Sequence, residues 1–537
     1  MRRYVKLTAP VLAAVMLVTG CSTLETAPSS TDTNVQTTTD DTEKVSVILS
    51  DEQIKVDGKA ISTDSSKAVY AGADIIYYEE GKDETYGEGS KEDAHSKEEA
   101  EKHTVVTITK PGTYEVSGSI SSGQIAVDLG EEAEDDPEAV VNLVLNNAEI
   151  NCSVAPSIVV ISAYECSSDE EEDATPEVNT ENAGFNLILA KDSENVVNGS
   201  YVAKIYKDGT TKEDVEKDEA KKKYKFDGAI DSQVSFNIDS GENGKLTVNA
   251  ENEGICSALH LTINNGEIVI NSSNDAMNTN EDNVSVLTIN GGVITCDSGL
   301  GDEGDGIDSN GYLVVNGGYL ISCANGKSHD SGVDSDKGIY INGGTVLASG
   351  NMYDEVSSDS KQLFAVFNFS QTVGEDELIM ITNEKDEPIT AFSAVNSYST
   401  VVYSQPELME GTYHLYKVSS VTGDLNGSIY TNITAYQDDV QLQTGSGFMM
   451  GGPGMGDGRG GFPGGEMPEM PEMKDGEKPG MPEGEMLEMP DEERPQMPED
   501  GKGGRGQKGF ASGEMEANTE FVLSKESYQF GGITEMK

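Results

Sequence analysis

The sequence has little positive charge. Its 537 residues include 36 lysines and arginines against 96 aspartates and glutamates, which gives a formal net charge of −60. This charge argues against a nucleic-acid partner, because the phosphate backbone would be repelled and its counterions would not be displaced. The expected partners are cations, or ligands bridged by cations.

Two side chains with strong recognition chemistry are also scarce. The chain has no tryptophan, and arginine is absent between Tyr4 and Gly458. The lack of tryptophan argues against a flat aromatic platform of the kind that holds crystalline cellulose. The lack of arginine removes one of the two usual strong bases of polysaccharide lyases.

The N-terminus has the pattern of an export signal. Arg2, Arg3 and Lys6 precede an apolar run at residues 7–18 that is too short to span a bilayer comfortably. The run ends in Leu17-Val18-Thr19-Gly20-Cys21, which resembles a bacterial lipobox. We therefore expect cleavage before Cys21, lipidation of its sulfur, and a protein anchored by lipid to the extracellular face of the cell membrane. The alternative is an ordinary cleaved signal with an incidental cysteine.

Cysteine is otherwise sparse. The five that remain are Cys152, Cys166, Cys256, Cys296 and Cys323. An odd number cannot all pair, and the spacings match neither zinc-ribbon nor redox motifs. We expect small buried side chains, with Cys152 and Cys166 as the one local pair to test.

The body of the chain contains an internal repeat of 26 residues. Its turns are Asn264-Asn265-Gly266, Asn290-Gly291-Gly292, Asn316-Gly317-Gly318 and Asn342-Gly343-Gly344, each between two short apolar strands. A fixed period of this kind predicts a solenoid, because no single unit can bury its apolar face without a neighbour. Asn-Gly suits the positive φ expected at a recurring corner.

A second repeated motif has a small, an apolar, a polar and a hydroxyl residue. It reads Ala229-Ile230-Asp231-Ser232, Gly254-Ile255-Cys256-Ser257, Ala276-Met277-Asn278-Thr279, Gly306-Ile307-Asp308-Ser309 and Gly332-Val333-Asp334-Ser335. Stacked coils would place Asp231, Cys256, Asn278, Asp308 and Asp334 in one column, with Gly228, Glu253, Asp275, Asp305 and Ser331 in a second. Neighbouring members would lie about 4.8 Å apart.

These patterns predict an all-β fold, a right-handed parallel β-helix with a C-terminal β subdomain. We divide the chain into a signal peptide (1–20), a disordered tether (21–44), a parallel β-helix that binds carbohydrate (45–360), the C-terminal β subdomain (361–446), a disordered Gly/Pro/Met/Glu-rich segment (447–516), and a returning strand with the tail (517–537). The returning strand is expected at Phe521-Val522-Leu523.

The acidic columns predict calcium sites. Stacked carboxylates repel one another unless a cation lies between them, and Ca²⁺ accepts six to eight oxygen ligands at irregular geometry. The candidate ligands are Asp231, Asp275, Asn278, Asp302, Asp305, Asp308, Asp330, Asp334 and Asp336. The alternative is that Asp, Asn and Gly simply favour turns and face water.

With these residues in view, the chain resembles the calcium-dependent, carbohydrate-binding β-helix lipoproteins of Gram-positive anaerobes. The resemblance spans residues 45–444. It rests on residues 107–114 with Gly118 and 123–125, on residues 305–311, and on residues 356–360. It implies a fold similar to calcium-bearing pectate lyases and non-catalytic binding of cellulose and acidic polysaccharides. Where family members often have Gly-Asp-Asp-Ala-Ile-His, residues 273–278 read Ser-Asn-Asp-Ala-Met-Asn, with one carboxylate fewer.

Three functions remain open at the level of sequence. The first is a surface module that binds polysaccharide with calcium, for which Tyr312, Tyr319 and Tyr340 form a candidate stacking strip. The second is a calcium-dependent polysaccharide lyase, with Lys327 or Lys337 as its base. The third is a structural adhesin that contacts other proteins through residues 447–516. No residue is singled out as catalytic.

Overall fold

The computed structural model describes residues 44–445 and 517–536. Cys21, the signal peptide, all of the tether except Lys44, and the segment 447–516 lie outside the described residues, so their assignments stay predictions. In the part of the chain that is described, no helix is long and apolar enough to cross a membrane.

The described chain is almost entirely β-structure, which confirms the all-β prediction. Its first 27 strands are β1 (Val45–Leu49), β2 (Lys55–Val56), β3 (Lys59–Ala60), β4 (Val69–Gly72), β5 (Thr104–Ile108), β6 (Gly112–Ile120), β7 (Gly123–Asp128), β8 (Val141–Asn151), β9 (Ile158–Ser162), β10 (Phe185–Leu189), β11 (Glu194–Gly199), β12 (Val202–Tyr206), β13 (Lys222–Phe226), β14 (Gly228–Ser232), β15 (Phe236–Ser240), β16 (Lys245–Ala250), β17 (Glu253–Ser257), β18 (His260–Ile263), β19 (Glu267–Ser272), β20 (Met277–Thr279), β21 (Val286–Ile289), β22 (Val293–Asp297), β23 (Ile307–Ser309), β24 (Tyr312–Val315), β25 (Tyr319–Cys323), β26 (Gly338–Ile341) and β27 (Thr345–Gly350). The helices are short: α1 (Lys97–Ala100), α2 (Lys212–Glu216) and the 3-10 turns Ala133–Asp135 and Glu171–Asp173.

Successive repeats contribute strands to three parallel ladders. The first ladder contains β5, β7, β9, β14, β17, β20 and β23; the second contains β10, β15, β18, β21, β24 and β26; the third contains β11, β16, β19, β22, β25 and β27. In the second ladder Leu261 pairs with Leu287, Leu287 with Leu313 and Leu313 with Ile339. This is the register that the 26-residue repeat predicts.

The Asn-Gly corners differ in detail from the prediction. The positive φ falls on the last glycine of each triplet, at 116° for Gly266, 90° for Gly292, 78° for Gly318 and 79° for Gly344. The first asparagines instead form a ladder in which each side-chain amide donates to the asparagine one coil earlier, at 2.9, 2.9 and 3.0 Å from Asn290, Asn316 and Asn342.

A continuous apolar core lies between the ladders. The apolar members of the second motif are fully buried, as in Ile230, Ile255, Met277 and Ile307. All five cysteines of the described residues are free, and all but Cys166 are buried.

The C-terminal part is mainly antiparallel. It comprises β28 (Phe364–Val373), β29 (Leu378–Asn383), β30 (Pro388–Phe392), β31 (Tyr398–Ser404), β32 (Gly411–Val418), β33 (Ser420–Asn426), β34 (Ile429–Gln437), β35 (Val440–Gln443), β36 (Phe521–Leu523) and β37 (Gln529–Glu535). β31 pairs antiparallel with β27, so the edge of the third ladder is covered. The strand expected at Phe521–Leu523 is present as β36, which pairs with β32.

Candidate functional site

The first acidic column runs across the last strands of the first ladder. Asp231 pairs with Cys256, Cys256 with Asn278 and Asn278 with Asp308. Asp334 continues the row, since its N–H donates to the Ile307 carbonyl at 2.7 Å and its carbonyl accepts from the Ser309 N–H at 3.3 Å. The apolar residue before each of these positions is buried in the core, and the small residues and hydroxyls keep the strands close.

The second acidic column lies beside it and links the coils through carboxylates. Gly228 pairs with Glu253. Asp275 Oδ1 accepts the Asp305 N–H at 2.7 Å, and Asp305 Oδ1 accepts the Ser331 N–H at 2.6 Å. Each of these carboxylates therefore reaches the backbone of the following coil.

Three of the column carboxylates are almost completely buried, whereas Asp305 and Asp334 are half-buried. Asp231 is 2% exposed, Glu253 6% and Asp275 8%. Burial, followed by repulsion from neighbouring carboxylates, raises the pKa of Asp231 and Asp275 well above the usual range and that of Glu253 to about 7. Burial also raises the pKa of Asp305 and Asp334. A cation among these groups would relieve the repulsion.

Asn278 places an amide oxygen where a cation could bind. Its side chain is 5% exposed, and its Oδ1 has no hydrogen-bond partner. A buried acceptor left unsatisfied costs about 1–3 kcal/mol. Amide and carboxylate oxygens are ligands that Ca²⁺ takes, so the donor set fits this ion.

Carboxylates alone do not form the site. Among the described residues, no group of three or more His, Cys, Asp or Glu side chains is placed to hold a metal ion. An ion bound in the columns would therefore also need amide, backbone carbonyl or water oxygens, which Ca²⁺ accepts. Asn278 and the carbonyls of the short strands are the available protein donors.

The remaining candidate ligands are less buried. Asp302 is fully exposed at 104%, with an oxygen 4.0 Å from Lys327 Nζ, and Asp336 is also exposed. Asp330 Oδ2 accepts the Gly304 N–H at 2.7 Å and the hydroxyl of Ser328. The structure thus aligns Asp231, Asn278, Asp308 and Asp334, sets Asp275 and Asp305 beside them, and leaves Asp302 and Asp336 towards solvent.

Comparison with known proteins shows the family to which the chain belongs. A family model described as carbohydrate-binding domain-containing protein matches residues 102–186 and 176–401, more than half of the chain. The chain belongs to this family. The matched segments of this carbohydrate-binding domain-containing protein include both acidic columns. A solved structure, the gadolinium derivative of a polysaccharide lyase-like protein from C. thermocellum, is 21% identical, with 58% of this chain and 91% of that chain covered and a TM-score of 0.34. No curated protein matches.

Sequence reasoning missed a half-buried lysine at the start of the columns. Lys225 Nζ lies 3.2 Å from Asp227 and donates to Asn280 Oδ1 at 2.8 Å. Although burial works against the charged form, Asp227 and Glu253 raise the pKa of this ammonium to about 12. Lys225 precedes the first motif by four residues and has no counterpart in later coils, so the repeat carried no signal for it.

Sequence reasoning also missed Asp354, which lies near Asp334 at the other end of the columns. Burial and the neighbouring Asp334 raise its pKa to about 6. It follows the last repeat unit, beyond the range of the period.

The three candidate tyrosines of this carbohydrate-binding domain-containing protein do not form one strip. The rings of Tyr312 and Tyr340 lie 6.3 Å apart at 51° on the second ladder. Tyr319 belongs to β25 of the third ladder, where it pairs with Val293 and Thr345. Two of the three are therefore brought together.

Proposed function

We propose that this protein is a lipid-anchored protein of the extracellular cell surface that binds polysaccharide without cleaving it. In this proposal the three ladders wind as a right-handed parallel β-helix, and Ca²⁺ orders the acidic columns. Membership of a carbohydrate-binding domain family supports polysaccharide as the partner. Right-handed crossovers are the rule for parallel strands, which supports the handedness.

The buried acceptor of Asn278 carries the calcium part of the proposal. It sits in register between Cys256 and Asp308, beside a column whose carboxylates are held away from water. An ion bound here satisfies the amide and screens the carboxylates at once. Neutralising these carboxylates also lowers the repulsion that a protein of net charge −60 exerts on an acidic glycan.

The lysines support binding without cleavage. Lys327 Nζ donates to the Gly301 carbonyl at 3.0 Å, and Lys337 lies 3.4 Å from Glu171. Lys225 is closest to the columns, but a pKa of about 12 keeps it protonated and unable to abstract a proton. A lyase needs an unprotonated base at the reacting carbon.

A glycan array run in Ca²⁺ and again in chelator tests this function. Polysaccharide binding that weakens in chelator supports it, and an array blank in both conditions contradicts it. Incubation with pectate distinguishes the lyase: ultraviolet absorbance from unsaturated product, lost in Lys327→Ala or Lys337→Ala, would replace binding with cleavage. Capture of a protein partner by residues 447–516, with a blank array, would favour the adhesin.

A further inference from the structure

A cleft lies where two excursions of the chain meet. The first excursion is residues 73–103, between β4 and β5, and the second is residues 200–227, between β11 and β14. Gly87 forms an antiparallel bridge with Ile205, and the Tyr206 N–H donates to the Tyr86 carbonyl at 2.8 Å. A side chain at Gly87 would place its Cβ 2.0 Å from the Lys204 carbonyl oxygen, so this close approach requires glycine.

Ion pairs strengthen the same junction. Lys204 Nζ lies 2.6 Å from Glu88, and Lys212 pairs with Glu84 across the two excursions. The walls of the cleft are thus held together by backbone and side-chain contacts before any ligand arrives. Preformed walls lower the entropy cost of binding.

The cleft has the size and lining of a ligand site. Its volume is 680 Å³, within the range of about 300–1,000 Å³ found for small-molecule sites. Four tyrosines line it: Tyr77, Tyr86, Tyr206 and Tyr224.

Packing fixes the orientation of these rings. Tyr224 stacks on Phe226 with centroids 5.2 Å apart at 27°, and Tyr86 packs against Tyr78 at 5.3 Å. The Tyr86 hydroxyl donates to the Tyr77 carbonyl at 3.2 Å. Aromatic faces carry negative partial charge and attract the weakly positive C–H groups of a pyranose ring.

The charged lining is balanced, in contrast to the rest of the molecule. Three lysines and three acids line the cleft: Lys82, Lys207, Lys223, Glu79, Asp83 and Asp208. Lys82 lies 2.7 Å from Glu79, and Lys223 lies 3.1 Å from Asp208. Paired charges offer donors and acceptors to hydroxyl groups but no net attraction for a carboxylate. The lining therefore fits an uncharged sugar better than a uronate.

We propose that this tyrosine cleft binds a short stretch of uncharged polysaccharide, with pyranose rings against Tyr77 and Tyr224 and sugar hydroxyls bonded to the ion pairs. The inference rests on the proposed polysaccharide-binding function and adds a location and a sugar class. The family model begins at residue 102, so the wall formed by residues 73–101 lies outside the matched segments, whereas the second excursion lies within them.

Calorimetric titration with cellohexaose, xylohexaose, mannohexaose and hexagalacturonate tests the cleft. Wild type is expected to bind at least one of the three uncharged sugars, and Tyr77→Ala and Tyr224→Ala to weaken that binding about tenfold through loss of a stacking face. Tyr224→Phe keeps the ring and should stay close to wild type. Tyr436→Ala, at an exposed tyrosine of β34, is the matched control and should also bind normally, whereas Tyr312→Ala tests the tyrosine pair of the second ladder as the alternative site.

One further variant keeps the result decisive. Lys223→Met changes an exposed side chain that pairs with Asp208, so it tests the polar lining even if Tyr224→Ala fails to fold, and it should also weaken binding. Full-strength binding in all cleft variants, loss of binding in Tyr312→Ala instead, or wild-type binding of hexagalacturonate alone overturns the cleft while leaving polysaccharide binding intact. Absence of binding both here and on the glycan array overturns the proposed function as well.

Discussion

Stacking one position of successive repeats places polar side chains, as well as apolar ones, above one another. Met277 and Ile307 gain from this arrangement, because each buries its neighbour. Asn278 and Asp308, the next residues along, are forced into equally close register. The same geometry that builds the core thus brings side-chain oxygens of neighbouring coils close together. A bound cation would replace the repulsion between their carboxylates with a contact that links the coils.

Calcium is expected to stabilise the protein through the first acidic column. An ion that binds only the folded state adds RT ln(1 + [L]/Kd), about 2.7 kcal/mol at a hundredfold excess over Kd. Asp308→Asn keeps the size and one oxygen ligand but removes a charge. The variant should need more Ca²⁺ for the same melting temperature and lose little stability in chelator, as measured by differential scanning calorimetry.

Asp302→Asn is the matched control for that experiment. This variant makes the same chemical change at a side chain that is fully exposed, so its calcium response should equal that of wild type. An equal response in Asp308→Asn would place the ion elsewhere. No response in any of the three proteins would favour the simpler interpretation of the column as solvated turn residues.

His260 predicts a separate dependence of stability on pH. The side chain is 2% exposed, its Nδ1 accepts the Val286 N–H at 3.0 Å, and burial lowers its pKa to about 4. Between about pH 6.5 and 4, the His260 imidazole is protonated in the unfolded chain but stays neutral in the folded protein. The histidine's contribution is therefore complete above about pH 6.5 and is lost as the pH falls through about 4, with a total near 3 kcal/mol.

Replacing His260 with Asn isolates the contribution of this imidazole to the pH dependence of stability, because the amide oxygen can still accept from the Val286 N–H but does not titrate. Chemical denaturation at several pH values should show the free energy of unfolding of wild type falling relative to His260→Asn as the pH is lowered from 7 to 4.5. Parallel curves would show that His260 does not titrate differently in the folded and unfolded states.

At the scale of the element, each corner depends on the last glycine of its triplet. Gly318 has φ of 78°, and a Cβ there would lie 2.6 Å from the Gly292 carbonyl oxygen. Gly318→Ala is expected to lower the free energy of unfolding by about 2 kcal/mol or more, since left-handed backbone and a backbone clash add together. Gly411→Ala, with nothing within 4 Å of its Cβ, should change stability little. Similar urea midpoints for the two variants would contradict this account.

The repeat explains which elements were predictable. A constant period aligned Leu261, Leu287 and Leu313 correctly, because register in stacked coils follows sequence spacing alone. The corner asparagines were harder, since both positive φ and an amide ladder satisfy an Asn-Gly-Gly turn and only backbone geometry separates them. The registers of Asp231 and Asn278 followed from the second repeated motif and not from the period, since their partners Cys256 and Asp308 lie 25 and 30 residues further on. Their burial depended on packing that neither pattern contains.

The tyrosine cleft could not be predicted from the repeat. Tyr86 and Tyr206 meet through two excursions that interrupt the period, and their contact joins positions 120 residues apart. Long-range contacts of this kind have no local signature in sequence.

At the scale of the whole molecule, a net charge of −60 favours repulsion between copies, and the lipid on Cys21 is the proposed membrane anchor. If Cys21 carries the lipid, Cys21→Ala should release the protein into the medium. Fractionation of cells expressing each form, followed by detergent-phase partitioning, measures this. If the substituted protein still partitions into detergent, another segment anchors the protein in the membrane.

The segment 447–516 is expected to be dispensable for folding. Its composition offers few apolar residues to bury, and closing a long surface loop costs little extra entropy. The ends that flank it already touch: the Thr444 N–H donates to the Asn518 carbonyl at 2.8 Å, and the Asn518 N–H donates to Thr444 Oγ1 at 3.2 Å. A short Gly/Ser linker can therefore replace the segment, and the melting temperature should stay within a few degrees of wild type.

Truncation after Gly445 is the contrasting variant, because it also removes β36 and β37. Those strands pair with β32 and β28, and Phe530 stacks on Phe367 with ring centroids 5.8 Å apart. Their loss exposes a buried aromatic cluster and leaves strand edges unpaired, so this truncation should lower the melting temperature far more than the linker replacement. If the linker variant falls as far as the truncation, residues 447–516 pack against the folded body. If neither falls, the returning strands contribute nothing to stability, and closure of the C-terminal sheet rests on β28–β35 alone.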